Sequence, residues 1–244
     1  MNSTTNKTYD FIGDFSDGLA AVELRGKWGF INTNGRRVIP LKYDTILGFF
    51  EGLSAVELEG KWGFINKKGD VVVELKYDSV GNFYEPEYLA SVKLDSRFGF
   101  VDKQGNEVIF PIYDNIYDFC EGLVAVKLNK WGFIDETGEV VIELKYDEVG
   151  DFRNGLALAE LNGKWGFIDK KGEVVIPLVY DSLLPFYDDL AQAVLGHKWG
   201  HIDRGGNVII PFKFDSVGPF DKGRAQVKLG DKWGYVDKNG NEYF

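Results

Sequence analysis

The sequence predicts an all-β protein built from seven tandem repeats of about 34 residues each. The main observation is a phrase such as GKWGFI, whose aromatic residue recurs at spacings of 34, 36, 33, 34, 34 and 34 residues. This aromatic residue is Trp28, Trp62, Phe98, Trp131, Trp165, Trp199 and Trp233. A second marker is an aromatic residue followed by Asp, and it begins at Tyr9, Tyr43, Tyr77, Tyr113, Tyr146, Tyr180 and Phe214. Because Gly or Pro interrupts the chain often and no period of 3.6 residues persists, we expect no helix longer than two turns.

Three stretches of each repeat alternate with the period of two that half-buried strands show. In LAAVEL, the residues Ala20, Val22 and Leu24 share the face that we expect to be buried, and Glu23 lies on the face that we expect to meet water. In KWGFI, the aromatic residues share one face. The third stretch, such as EVVIP from Glu173, is short and β-branched, which favours a strand.

The turns between these stretches have their own signatures. Asn162-Gly163 between two strands predicts a two-residue hairpin of type I′. The sequence DKKG from Asp169 predicts a type I turn closed by a left-handed glycine. A fourth stretch runs from the aromatic–Asp pair to a Phe, and we interpret it as a short strand or extended linker that leads into the next repeat.

We expect residues 1–8 to be a polar N-terminal segment and residues 9–244 to be one domain whose repeats close into a ring. The stretch from Tyr9 to Phe244 is three residues short of seven full repeats, and the residues just before Tyr9 would fill that gap if the termini met. Closure would also remove exposed sheet edges. An open, curved β-solenoid is the alternative.

Composition narrows the class of protein. The net charge of -10, with basic and acidic residues interleaved, argues against a nucleic-acid partner. Cys120 is the only cysteine, so an intrachain disulfide is impossible. No apolar run is long enough to span a membrane, and the first eight residues do not form a signal peptide. We therefore expect a cytoplasmic monomer, with secretion left open.

The pattern KWGFID-x-x-G-x-VVIP…YD resembles the WG repeat, also called the KWG repeat, of bacterial proteins. The resemblance covers the chain from about Tyr9 to Phe244 in seven copies. It implies an all-β bacterial repeat protein that binds or scaffolds rather than catalyses, and it supplies no catalytic residue. The departures are Phe98 in place of Trp, His201 in place of the Phe after Trp-Gly, and Phe214 in place of Tyr.

Two interpretations of the seven repeated aromatic residues compete. As a structural core, each ring packs between neighbouring repeats, and the glycine beside it lets another chain segment approach closely. As a ligand site, the rings would form equivalent pockets in a multivalent carbohydrate or small-ligand binder. We favour the core, because a repeat of this size cannot bury its apolar face alone. We likewise expect the repeated Asp to accept hydrogen bonds from turn amides or from the basic residue before the Trp.

A function that the repeats do not share should lie where they differ. The loops FYEPEYL and FYDDL are the best candidates, and their proposed binding residues are Tyr84, Glu85, Glu87, Tyr88 and Tyr187. We interpret His201 as a polar substitute in a Phe position and Cys120 as a small apolar residue. His197 and His201 lack a partner at zinc-ligand spacing. We expect no catalytic residue, metal or cofactor, and interpret the protein as a scaffold for another protein.

Overall fold

The computed structural model describes residues 9–83 and 86–244, which form seven four-stranded antiparallel sheets and no helix. We number the sheets 1 to 7 along the chain. In each sheet the strands are hydrogen-bonded in chain order, so every sheet is a simple meander. The all-β prediction and the prediction of three or four strands per repeat are confirmed. Within the described residues, no helix has the length and apolar character of a membrane span.

The strands take the same position in every sheet. The first strands are Phe11–Ser16, Thr45–Ile46, Ser79–Val80, Asn115–Ile116, Glu148–Val149, Ser182–Leu183 and Ser216–Asp221. The second strands are Leu19–Leu24, Leu53–Leu58, Ala90–Leu94, Leu123–Leu128, Leu156–Leu161, Leu190–Leu195 and Arg224–Leu229. The third strands are Lys27–Asn32, Lys61–Asn66, Arg97–Val101, Lys130–Asp135, Lys164–Asp169, Lys198–Asp203 and Lys232–Asp237. The fourth strands are Arg37–Tyr43, Val71–Tyr77, Glu107–Tyr113, Val140–Tyr146, Val174–Tyr180, Val208–Phe214 and Glu242–Tyr243.

The chain divides into two compact units. The first comprises Met1–Asn115 with Glu136–Gly138, and the second comprises Ile116–Asp135 with Glu139–Phe244. The single domain over residues 9–244 and its closed ring, with the open solenoid as alternative, stay predictions, and residues 1–8 lie outside the described residues.

Both predicted turn types are confirmed. Asn162 and Gly163 have φ values of 53° and 76°, which is the type I′ geometry that joins two twisted strands tightly. Gly172 closes the next turn with φ 80°. The Asp169 carboxylate accepts hydrogen bonds from the backbone amides of Lys171 and Glu173, both at 2.9 Å. The side chain therefore satisfies the turn amides, as expected of Asp at the start of a turn.

The glycine after the repeated aromatic residue is required by a close approach of the fourth strand. In sheet 1, Trp28 pairs with Tyr43 and Phe30 pairs with Ile39, so the fourth strand bulges opposite Gly29. A Cβ atom on Gly29 would lie 2.5 Å from the Ile39 carbonyl oxygen. The predicted close approach is confirmed, and the approaching group is backbone.

Neighbouring sheets within each unit stack face to face. In the first unit, Phe30, Ile39 and Tyr43 of sheet 1 pack against Val56 and Ile65 of sheet 2 in one core cluster. Sheets 2 and 3 pack in the same way. In the second unit the clusters join sheet 4 to 5, sheet 5 to 6, and sheet 6 to 7. The core of each unit therefore consists of repeated layers between sheets.

The expectation that one face of the second strand meets water is wrong. Ala20 and Val22 are fully buried on one face of sheet 1, but Leu19 and Phe30 are buried on the other. In sheet 1, Leu19 and Phe30 pack against sheet 2, and Ala20 and Val22 cluster with Ile31 on the other side. Sheet 2 shows the general reason, because Val56 packs against sheet 1 and Ala55 against sheet 3, and a sheet between two others must be apolar on both sides. Glu23 is partly exposed at the strand end, and Leu24 is only partly buried.

The repeated aromatic residue is core only in part, which corrects the prediction of seven equivalent core residues. Trp131 is 2% exposed, whereas Trp233 is 54% exposed. The other five, Trp28, Trp62, Phe98, Trp165 and Trp199, are half-buried. Trp131 is covered by Tyr117, whose ring centroid lies 4.6 Å away. Trp233 has no such aromatic cover in the described residues, because Gly218 stands in sheet 7 where Tyr117 stands in sheet 4.

Candidate functional site

The repeated Asp carboxylates are engaged in structural contacts. Asp78 Oδ1 accepts a hydrogen bond from Lys61 Nζ at 2.7 Å. The same ion pair recurs in five further repeats, as Lys27–Asp44, Arg97–Asp114, Lys130–Asp147, Lys164–Asp181 and Lys198–Asp215. This confirms the expected contact with the basic residue before the aromatic position.

The second oxygen of the same carboxylate holds the following hairpin. Asp147 Oδ2 accepts a hydrogen bond from the Asn162 backbone amide at 2.8 Å, and Asp44 Oδ2 accepts one from the Glu59 amide at 2.8 Å. The hydrogen bond from Lys27 and then that from Glu59 lower the pKa of Asp44 below its usual value. These carboxylates are thus ionised structural groups, and a specific site has to be sought at positions that the repeats do not share.

One such position is an apolar cleft in the second unit. It has a volume of about 390 Å³, and its walls come from Leu184, Pro185, Phe186, Leu190, Pro219 and Phe220. Tyr187 lies at the rim and is 69% exposed. The Phe in each repeat's fourth stretch is preceded by Pro only in these two repeats, at Pro185 and Pro219. That pair of prolines was the sequence signal that could have located the cleft.

A buried histidine contributes to the lining of this cleft. His201 occupies the Phe position of sheet 6, is 1% exposed, and its ring centroid lies 5.0 Å from that of Phe220 in an edge-to-face arrangement. Neither of its ring nitrogens makes a hydrogen bond of good geometry within the described residues, and the contact with the Gly218 backbone is only a weak one. Burial lowers the pKa of His201 to about 4, against a smaller opposing effect of the Gly218 backbone. The ring is therefore neutral at pH 7, and its interpretation as a polar substitute in a Phe position is confirmed.

A second cleft of about 300 Å³ continues the first, since both are lined by Arg153, Pro185 and Phe186. The Arg204 guanidinium lies over the Phe186 ring at 4.8 Å, and its Nε donates a hydrogen bond to Asp189 Oδ1 at 2.9 Å. We call the two clefts together the Phe186 groove. It combines apolar walls with two guanidinium groups, a combination that suits an apolar group next to a carboxylate or carbonyl.

The other candidate binding residues lie in the first unit. Tyr84 and Glu85 fall outside the described residues. Tyr88 is exposed, and Lys103 Nζ lies 3.9 Å from its ring centroid, while Lys103 also pairs with Glu51. Glu87 is half-buried in the same loop. Their role in binding stays a prediction; of the candidates, Tyr187 lines the Phe186 groove.

The remaining reactive side chains have structural surroundings. Cys120 is partly buried against the core cluster of sheets 4 and 5, and burial raises the pKa of its thiol. This fits its interpretation as a small apolar residue. In the part of the chain that the structure describes, no group of three or more His, Cys, Asp or Glu side chains is placed to hold a metal ion.

Solved structures with a similar chain path share little sequence with this protein. One is Kluyveromyces lactis Hsv2p, with 11% identity, a TM-score of 0.39, and coverage of 93% of this chain and 92% of that one. A eukaryotic initiation factor matches with 12% identity, a TM-score of 0.46, and coverage of 97% and 74%. The extracellular domain of a putative one component system from B. thetaiotaomicron matches with 12% identity, a TM-score of 0.34, and coverage of 98% and 42%.

The repeats of this chain match a known family of sequences, although its likeness to solved structures is weak. Curated proteins include no match to this chain. The family described as WG containing repeat matches seven consecutive segments, namely residues 6–28, 28–62, 62–97, 98–130, 131–165, 165–199 and 199–233. The segments carry the aromatic–glycine pairs and the Lys–Asp ion pairs that define the sheets. The chain therefore belongs to the WG-containing repeat family.

Proposed function

We propose that this chain is a non-enzymatic repeat scaffold that binds a protein partner through the Phe186 groove. The observation that carries the proposal is the apolar cleft with the exposed Tyr187 ring at its rim. Concave apolar surfaces beside an accessible tyrosine are typical of binding sites for peptide side chains. The groove also lies where this chain departs from its own repeat.

The lining of the groove defines the chemistry of the partner. Leu184, Phe186 and Phe220 offer walls to an apolar side chain of the partner. Arg153 lines both clefts, and a guanidinium group binds carboxylate and carbonyl oxygens. The partner segment we propose therefore has an apolar anchor next to an acidic residue or a free backbone carbonyl.

The alternative is a multivalent carbohydrate or small-ligand binder with one pocket per repeat. That function needs equivalent, accessible aromatic rings. The burial of Trp131 and the exposure of Trp233 make the seven positions unequal, which supports the scaffold over the repeated pocket. The ionised Asp carboxylates, each engaged by a Lys or a turn amide, support a role without catalysis.

Selection of peptides from a phage-displayed library on the full chain tests the proposal. We expect enriched peptides to share an apolar anchor, and their affinity, measured by fluorescence polarisation, to fall about tenfold or more in Tyr187→Ala and in Leu184→Asp. Phe110→Ala is the matched control, since Phe110 is an exposed aromatic residue of sheet 3 outside the groove. Peptides that bind both groove variants as tightly as the wild type would refute the groove as the site.

A further inference from the structure

Sheet 7 presents an exposed aromatic face. Trp233, Tyr235 and Tyr243 are between 43% and 54% exposed, and we call these three residues the sheet 7 face. The residue that matches Tyr235 in the other six sheets is at most 3% exposed. The opposite side of sheet 7 is buried, with Ala225 and Val227 packed toward sheet 6. One side of this sheet is therefore apolar, accessible and unlike its counterparts.

Sheet 1 presents the complementary kind of surface. Ile12 and Phe15, which pair with Val22 and Ala20 in the sheet register, are 54% and 51% exposed, and we call these two residues the sheet 1 face. The residues that match Phe15 in four other sheets are at most 7% exposed, and they are Phe49, Phe83, Phe152 and Phe220. Apolar patches of this kind on a folded protein mark interaction sites.

The junctions within each unit show what each face accepts. Phe30 of sheet 1 packs against Phe49 of sheet 2, with ring centroids 4.7 Å apart. The same pairing recurs at 4.8 Å between Phe64 and Phe83, and at 4.8 Å and 4.6 Å in the second unit for Phe133–Phe152 and Phe167–Phe186. Tyr235 is in the position of Phe30, and Phe15 is in the position of Phe49. The sheet 7 face therefore carries the first ring of such a pair, and the sheet 1 face carries the second.

We propose that the chain associates head to tail with a second copy of itself, the sheet 7 face of one copy packing against the sheet 1 face of the next. Tyr235 then packs on Phe15 as Phe30 packs on Phe49. This inference goes beyond the proposed function and is independent of the Phe186 groove. It is an alternative to the expectation of a closed-ring monomer, in which sheets 7 and 1 would meet within one chain.

The two faces differ, so the interface is heterologous and each copy keeps one free face after pairing. Because the two faces can be altered separately, two variants can be tested for complementation. The measurement is sedimentation velocity on the full chain, from micromolar to submillimolar concentration. We expect the average mass of the wild type to rise with concentration. Tyr235→Glu and Phe15→Glu, each alone, should weaken this association about tenfold or more. Phe110→Glu, a matched aromatic-to-acid change outside both faces, should associate like the wild type.

The mixture of the two variants is the decisive sample. Tyr235→Glu retains an intact sheet 1 face, and Phe15→Glu retains an intact sheet 7 face. An equimolar mixture should therefore reach twice the monomer mass and no more, which also shows that both variants are folded. A wild type that stays at the monomer mass throughout overturns the proposal. A mixture that stays monomeric, or single variants that associate like the wild type, overturns it as well.

Discussion

The Asp78 carboxylate joins two parts of its repeat, because Lys61 Nζ donates a hydrogen bond to Asp78 Oδ1 at 2.7 Å across sheet 2. Asp78 follows the fourth strand, and Lys61 begins the third. The hydrogen bond from Lys61 lowers the pKa of Asp78, and the Ser96 and Asp95 amides lower it further. Because equivalent ion pairs occur in five other repeats, protonation of their Asp carboxylates weakens many repeats at the same pH.

Stability should therefore fall in acid. A carboxyl group with a lowered pKa in the folded state stabilises the fold above its unfolded pKa, and this contribution is lost as the pH falls through the folded value. The usual value is 3.8, so we expect the midpoint of thermal unfolding to be flat near neutral pH and to drop from about pH 5 downward. Asp78→Asn should reduce this drop. Asp231→Asn, in an exposed turn, is the control, and an equal reduction there would contradict the assignment to the ion pair.

Replacing a glycine after the repeated aromatic residue should disrupt its sheet. A Cβ atom on Gly63 would lie 2.4 Å from the Val73 carbonyl oxygen, so the fourth strand would have to move. We expect Gly63→Ala to lower the free energy of unfolding by about 1–3 kcal/mol or more, as overpacking does. Urea denaturation measures the change. Gly48→Ala is the matched control, because no atom lies within 4 Å of its added Cβ, and a similar loss there would refute the steric explanation.

The tryptophans should respond unequally although they occupy one position of the repeat. Trp131→Ala should cost about 3–5 kcal/mol of stability, as large core truncations do, whereas Trp233→Ala should cost much less because its ring is exposed. Trp62→Ala, at a half-buried position, should fall between them. In acrylamide quenching, Trp233→Ala should remove the part of the tryptophan fluorescence that acrylamide quenches most readily. Uniform quenching of all six tryptophans would contradict the unequal burial.

Local chemistry explains why much of the fold could be predicted from the sequence. Period-two alternation predicted the second and third strands, and Asn162-Gly163 predicted its hairpin, since each depends on residues close in the chain. The Lys–Asp contact and the close approach at Gly29 were also predicted. Both features occur in nearly every repeat, and a feature that nearly all repeats share is best explained by a structural role. All of these features depend on contacts within one repeat and not on the packing between sheets.

The features that the sequence did not predict depend on contacts between sheets. The partial exposure of Glu23 and the burial of Leu19 depend on a neighbouring sheet, which period two does not specify. Trp131 is buried in the core cluster that joins sheets 4 and 5, with Tyr117 packed on its ring. The Phe186 groove depends on where Pro185 places a linker and where Pro219 places the first strand of sheet 7, and a repeat consensus hides such differences between copies.

His201 is a buried polar group in a position that five of the other six repeats fill with Phe. Its buried ring nitrogens lack hydrogen bonds of good geometry, and leaving such groups unsatisfied costs about 1–3 kcal/mol. We therefore expect His201→Phe to stabilise the chain by an amount of that order. The repeat itself shows that a Phe ring fits, since Phe167 takes the same position in sheet 5 against Phe186.

The pH dependence separates this effect from a simple gain in packing. The folded pKa of His201 is lowered to about 4 from 6.5, so between these values the unfolded state binds more protons and stability rises with pH. In His201→Phe this contribution is absent, and its urea midpoint should change less between pH 6.5 and 4.5 than that of the wild type. His197→Phe, in an exposed turn, should keep the wild-type slope. An unchanged slope in His201→Phe would mean that His201 is not buried in its neutral form.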